Sequence, residues 1–164
     1  MKFSFRKATE NDIALINDLA NKIWREHYPS IISLEQINFM LHDRYSPEVI
    51  KAGMSRGEQY YLAFAGDEPL ALAAFELKDK GYFLHKFYVD VSRHRNGVGS
   101  AFFNYLLQQM KPDIPIRLQV NRQNYKAVNF YFKMGFAIEK VGDFDIGGGF
   151  VMNDFVMLRP ALPV

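Results

Sequence analysis

Phe3 and Phe5 alternate with Ser4 and Arg6, the period-two pattern of an opening strand. The period then lengthens. Ile13, Ile16, Leu19 and Ile23 recur at intervals of three and four, which predicts an amphipathic helix, with Thr9 or Asn11 supplying a capping oxygen. A second helix is predicted over SLEQINFMLHDRY, with Ser33 as cap, a Ser33-x-x-Gln36 capping-box spacing, and Ile37, Met40 and Leu41 as its apolar stripe. After a break around MSRGEQ, YYLAFA and LALAAFEL are strand-like runs joined by the turn GDEP. YFLHKFYVDV is a third strand, rich in aromatic and β-branched residues. Val98, Ala101, Phe102, Tyr105 and Leu106 mark one helix face, IRLQV is a short strand, and YKAVNFYFKMG is a helix stopped by Gly135. FAIEKV and FVMNDFVML close the chain as strands, the second preceded by a GGG hairpin turn. The order β, α, α, three strands, α, β, α, β, β predicts an α/β (α+β) fold. Its mixed, mostly antiparallel sheet has about seven strands, with helices on both faces.

Composition narrows the partners. At 164 residues, 49% hydrophobic, the chain is expected to form one domain with a full core. Twenty Lys+Arg against 18 Asp+Glu is too balanced for a general nucleic-acid or membrane binder. The absence of cysteine excludes disulfides, thiolate metal sites and a cysteine nucleophile. The start MKFSFRKATEND lacks a signal-peptide pattern, and no apolar run approaches the ~20 residues of a membrane span, so a cytoplasmic location is the expectation. A homodimer is compatible with all of this.

The chemistry gathers at SRHRNGVGS, where Arg93, His94 and Arg95 precede two glycines. A P-loop needs Gly-Lys-Ser/Thr, and Gly99 is followed by Ser100 and Ala101; a dinucleotide fingerprint needs a third glycine where Phe102 stands. What remains is strand, basic loop, Gly-x-Gly, helix. A helix start offers unpaired N–H groups and the positive end of its dipole, and Gly97 and Gly99 carry no Cβ to hold a phosphate away. Positive charge at that dipole end is unfavourable unless an anion offsets it. Solvated charges on a plain turn are the alternative.

HRNGVGSAFF resembles the Q/R-x-x-G-x-G/A motif of GCN5-related N-acetyltransferases (GNAT), with His94 in place of the usual Gln or Arg. NRQNYKAVNFYFKMGF is similar to the family's second signature, matching it at Asn124, Ala127, Phe130, Tyr131, Lys133, Gly135 and Phe136. The resemblance implies a splayed central strand, LHKFYVDV, and acetyl-CoA as co-substrate, with no metal. It implies that Phe87, Tyr88 and Val89 meet the acetyl and pantetheine part, and that His94, Arg95, Asn96, Gly97, Val98, Gly99 and Ser100 cradle the pyrophosphate. Asn124, Tyr131 and Lys133 complete the cofactor side. Acetyl transfer from a thioester forms an oxyanion, which a backbone N–H at about Val89 can stabilise, and expels a thiolate, which a phenol of pKa ~10 can protonate. Tyr131 stands where the family carries that acid; a core aromatic sharing a face with Val128 and Phe132 is the other reading. Glu76, His85 and a water chain are the candidates for the general base.

The resemblance also implies that the N-terminal third lines the acceptor cleft. There Trp24, Tyr28, Phe39 and Tyr45 are candidate apolar walls, and Glu26, Glu35 and Asp43 candidate attractors of a cation. Trp24-x-x-x-Tyr28, EQINFML, LHKFYV and DIGGGFVMNDFVM together look like the PaiA-type branch, which includes polyamine acetyltransferases. Asp145 and Asp154 in that tail read as turn and edge residues or as polycation ligands. The expected acceptor is a small molecule's primary amine, with a polyamine as one case. Peptide, protein N-terminal or lysine acetylation, and a non-catalytic CoA-binding module, are the alternatives.

Overall fold

The computed structural model describes residues 2–90, 92 and 97–163. Seven strands form one sheet: β1 (Phe3–Lys7), β2 (Gln59–Ala65), β3 (Glu68–Lys78), β4 (Gly81–Val89), β5 (Ile116–Asn121), β6 (Ala137–Gly147) and β7 (Phe150–Arg159). Their spatial order is β1-β2-β3-β4-β5-β7-β6, antiparallel throughout except for the β4–β5 pair. Three helices, α1 (Ile13–His27), α2 (Leu34–Tyr45) and α3 (Pro47–Ser55), pack on one face, where Ile16, Trp24, Ile37 and Ile50 meet Leu62 and Leu72. α4 (Val98–Gln108) and α5 (Tyr125–Lys133) cover the other, where Phe102, Leu106 and Val128 meet Ala73 and Phe75. Among the described residues no helix is long and apolar enough to cross a membrane.

Several local expectations need correction. α3 is a helix that the periodicity does not predict, because Pro47 and Gly53 punctuate a nine-residue segment; yet Pro47 sits in the first turn, where its missing N–H costs nothing. Ser33 caps α2 by accepting from the Gln36 amide, but Gln36 does not reach back to complete a box. Its Nε2 donates instead to the Val151 carbonyl, tying α2 to β7. Thr9 forms a full capping box with Asp12 over a short 3-10 turn that leads into α1.

The departure that positions the site is in β4. Ala74 pairs with Lys86 and Phe75 with Leu84, so His85 is an extra residue, a β-bulge. The bulge reverses the strand's alternation. Tyr82 and Leu84 face the α4–α5 side before it, whereas Phe87 and Val89 do so after it and Tyr88 turns to the α1–α2 side. β4 pairs with β5 only at Tyr82–Ile116 and Phe83–Arg117, and beyond them the two strands separate. The expected splay of the central strand is therefore present.

Candidate active site

A cavity of about 410 Å³ occupies the gap between β4 and β5. Phe83 to Val89 form one wall, Leu118 to Asn121 the other, and residues of α1, α2, α4 and α5 close it from both faces. The wall from β4 has free backbone groups. Asp90 donates its N–H to the Leu70 carbonyl at 2.8 Å, so Asp90 and, by alternation, Tyr88 direct their amides toward β3. The Phe87 and Val89 amides then point toward β5, which has already diverged. They face the cavity without a strand partner.

Gly97, Val98, Gly99 and Ser100 line the α4–α5 side. Gly97 has φ of 77°, a left-handed conformation that favours glycine, and caps α4 with no side-chain hydrogen bond to the first-turn amides. A Cβ on Gly99 would stand 3.5 Å from the Phe130 ring and 3.8 Å from Val89, so the helix start lies close against α5 and the β4 wall. The uncapped amides and the positive dipole end fit an anionic group such as a pyrophosphate. Lys126 also lines this side. Lys133 does not: it is exposed at the far end of α5. Arg93, His94, Arg95 and Asn96 lie outside the described residues.

On the same α4–α5 side, Tyr131 is buried at 7% exposure, its ring edge-on to Phe87, Phe130 and Phe136 at 6.4, 5.6 and 5.6 Å. Burial, with Tyr88 nearby, pushes its pKa well up. Val128 shares its buried face, but Phe132, at 46% exposure, does not. Asn124 caps α5 by accepting from the Ala127 amide; its Oδ1 also accepts from His27 Nε2 at 3.2 Å, and its amide donates to the Tyr28 hydroxyl at 3.4 Å. Asn124 thus ties α5 to the end of α1 across the gap.

The two candidate bases meet. His85 Nε2 donates to Glu76 Oε1 at 2.7 Å, with Glu58 at 3.6 Å and Lys78 3.3 Å from Glu76. Burial lowers the His85 pKa despite the pull of Glu76 and Glu58, so the ring is neutral at pH 7. Burial would raise the Glu76 pKa, but hydrogen bonds from His85 and Lys78 outweigh it and hold the carboxylate ionised. His85 lines the cavity and Glu76 stands behind it.

On the α1–α2 side, Trp24, Tyr28, Tyr45 and Tyr88 form an aromatic cluster in which Trp24 stacks on Tyr28 at 4.1 Å. Three of the four expected apolar walls, Trp24, Tyr28 and Tyr45, therefore face the cavity; Phe39 packs on Phe150 instead. Glu26, Glu35 and Asp43 are exposed and outside the lining. Lys86 is buried over the Tyr45 and Tyr60 rings, at 5.1 and 5.4 Å, and burial lowers its pKa to about 8. Asp154 is no edge residue. It lies on β7 between Asn121 and Gly142, is 2% exposed, and lines the cavity. Neither Lys86 nor the setting of Asp154 is legible from alternation alone.

A cavity at a split central strand, lined on one face by both a glycine-capped helix start and a buried tyrosine, is the arrangement expected of an acetyl-transfer site. The family model described as an acetyltransferase (GNAT) domain matches residues 30–145. The chain belongs to that family and is an N-acetyltransferase, for which acetyl-CoA is the acetyl donor. It is 25% identical over 160 residues to a spermidine N(1)-acetyltransferase of Thermoplasma acidophilum, covering 93% of this chain and 97% of the relative. The crystal structure of PaiA N-acetyltransferase from Thermoplasma acidophilum in complex with coenzyme A shares the fold, with a TM-score of 0.80 at 24% identity over 98% of this chain and 99% of that one. The ribosomal-protein-S18-alanine N-acetyltransferase of Escherichia coli does so with a TM-score of 0.75 at 14% identity, covering 99% and 96%.

Proposed function

We propose that this N-acetyltransferase acetylates the primary amine of a small molecule, and that the donor and the acceptor enter from opposite faces of the split sheet. The observation that carries this reading is the cavity itself. It runs from the α4 amides on one face, past the free Phe87 and Val89 amides in the gap, to the aromatic cluster on the other.

Acetyl-CoA supplies an activated acetyl group when bound. Gly97, Val98, Gly99 and Ser100 hold its phosphates through backbone amides, and Lys126 adds charge. The Val89 amide, directed into the gap, receives the negative charge that develops on the acetyl oxygen. Tyr131 keeps its proton because burial disfavours the phenolate, and delivers it to the leaving sulfur. His85, neutral and oriented by Glu76, accepts the proton that the amine sheds.

The polyamine case draws support from the spermidine acetyltransferase relative, and a cleft of about 410 Å³ recessed between the two helical layers suits a small acceptor better than a folded protein. The reading is tested by acetyl-CoA turnover against polyamines, amino acids, aminoglycosides and peptide N-termini. Saturable CoA release with small amines is expected. Turnover confined to peptides would replace the reading, and CoA binding without turnover on any amine would leave a regulatory module.

A further inference from the structure

We propose that the Asp154 carboxylate is the counter-ion that seats the acceptor's protonated amine on the α1–α2 side of the cavity. The proposal rests on the small-amine reading. Asp154 is the only acid among the described residues that line the cavity. It is 2% exposed, and its Oδ1 is buried with no hydrogen-bond partner.

The groups within electrostatic reach do not satisfy it. Arg44 of α2 pairs weakly with Asp43, at 3.8 Å, and Arg122, beyond β5, binds Asp143 at 2.9 Å. Arg122 touches Asp154 only at its backbone carbonyl. Tyr88 of β4 senses the same carboxylate, but its own hydroxyl interacts with Tyr45 and Tyr28. Burial dominates the net effect and raises the Asp154 pKa to about 6 in spite of both arginines.

A carboxylate taken out of water without a partner is unfavourable for folding, and such groups persist where a ligand completes them. An ammonium fits. Simple amines are protonated at neutral pH, so the acceptor arrives as a cation. The rings of Trp24, Tyr28, Tyr45 and Tyr88 line the same side and give the carboxylate an apolar, poorly hydrated setting, in which an ion pair is worth more than in water. With Arg44 and Lys86 also on this side, a second ammonium finds no second acid among the described residues of the cavity. One cationic group is what the site recognises here.

The test uses protein loaded with CoA, so that no turnover occurs, and titrates butylamine against its uncharged match, butan-1-ol, by NMR. Wild type is expected to bind the amine at least about tenfold more tightly, as a charge-assisted contact to a buried carboxylate implies. Asp154→Asn should erase that preference while binding CoA within about twofold of wild type, and Asp154→Glu should retain part of it. Equal binding of amine and alcohol by wild type overturns the proposal, whatever the variants do. So does an Asp154→Asn protein that keeps the preference. Failure of wild type to acetylate any small amine instead sinks the small-amine reading, so the two outcomes are separable.

Discussion

A phenol that protonates a leaving thiolate must hold its proton until the sulfur departs, and Tyr131 is placed for that by burial rather than by a base. Desolvation in the ring of Phe87, Phe130 and Phe136 disfavours its phenolate. Replacing the hydroxyl alone leaves this packing intact. Tyr131→Phe is therefore expected to lower kcat by about 10²–10⁴-fold while the Kd for CoA, measured by calorimetry, stays within about twofold. Unchanged turnover would return Tyr131 to a purely structural part in the core. Its signature spacing makes this residue legible in the sequence, because α5 carries Asn124, Tyr131 and Gly135 on or beside one short, self-contained helix. Lys133 belongs to the same signature but sits at the exposed end of that helix, so a motif match does not by itself put a side chain at the site.

Elements place what single residues cannot. The start of α4 is readable because two glycines directly before an apolar helical stripe mark a tight strand-to-helix turn, and Gly97 does adopt a left-handed φ of 77° with open space around it. Any cost of a side chain there is therefore one of backbone conformation. Gly97→Ala should lower stability by about 1–2 kcal/mol, read by thermal unfolding, and weaken CoA binding as the first-turn amides tilt. Gly97→Asn should lose less of both, since asparagine tolerates this conformation. An alanine variant with wild-type CoA affinity would show that the cradle does not depend on this turn. The bulge at His85 is not legible. Its residues are as strand-like as their neighbours, and only the pairing of Ala74 with Lys86 and Phe75 with Leu84 reveals the extra one. α3 escapes the periodicity for the opposite reason, since proline and glycine mask a helix that tertiary packing of Ile50 supports.

At the scale of the whole molecule, the mixed sheet and both helical layers follow from the run of periods, but the acceptor side does not. Asp154 shares its strand face with the apolar Phe150, Met152 and Val156, but a carboxylate there reads from the sequence as an edge or turn residue, and only β5 and β6 on its flanks, with α2 across the cavity, reveal it as buried. Burial of that kind is a property of the assembled fold, and it has a thermodynamic consequence independent of turnover. A carboxyl whose pKa rises from 3.8 to about 6 on folding favours the protonated form in the native state. It costs the fold nothing below the unfolded value. The cost grows as pH rises from 3.8 through about 6, and is fully present above that, at about 3 kcal/mol. Removing the charge should then stabilise the ligand-free protein. Asp154→Asn is expected to raise Tm at about pH 7.5, with the gain shrinking as pH falls through about 6 and vanishing near pH ~4, in thermal melts across that range. Binding of an amine should stabilise wild type and not the variant, since an ammonium at the carboxylate is what offsets the cost. A variant less stable than wild type at that alkaline end would mean that the carboxylate is already satisfied by the fold, and would remove the physical reason for assigning it a ligand. A stabilising Asp154→Asn that also loses its preference for amines would identify a residue whose burial is unfavourable for stability and required for recognition.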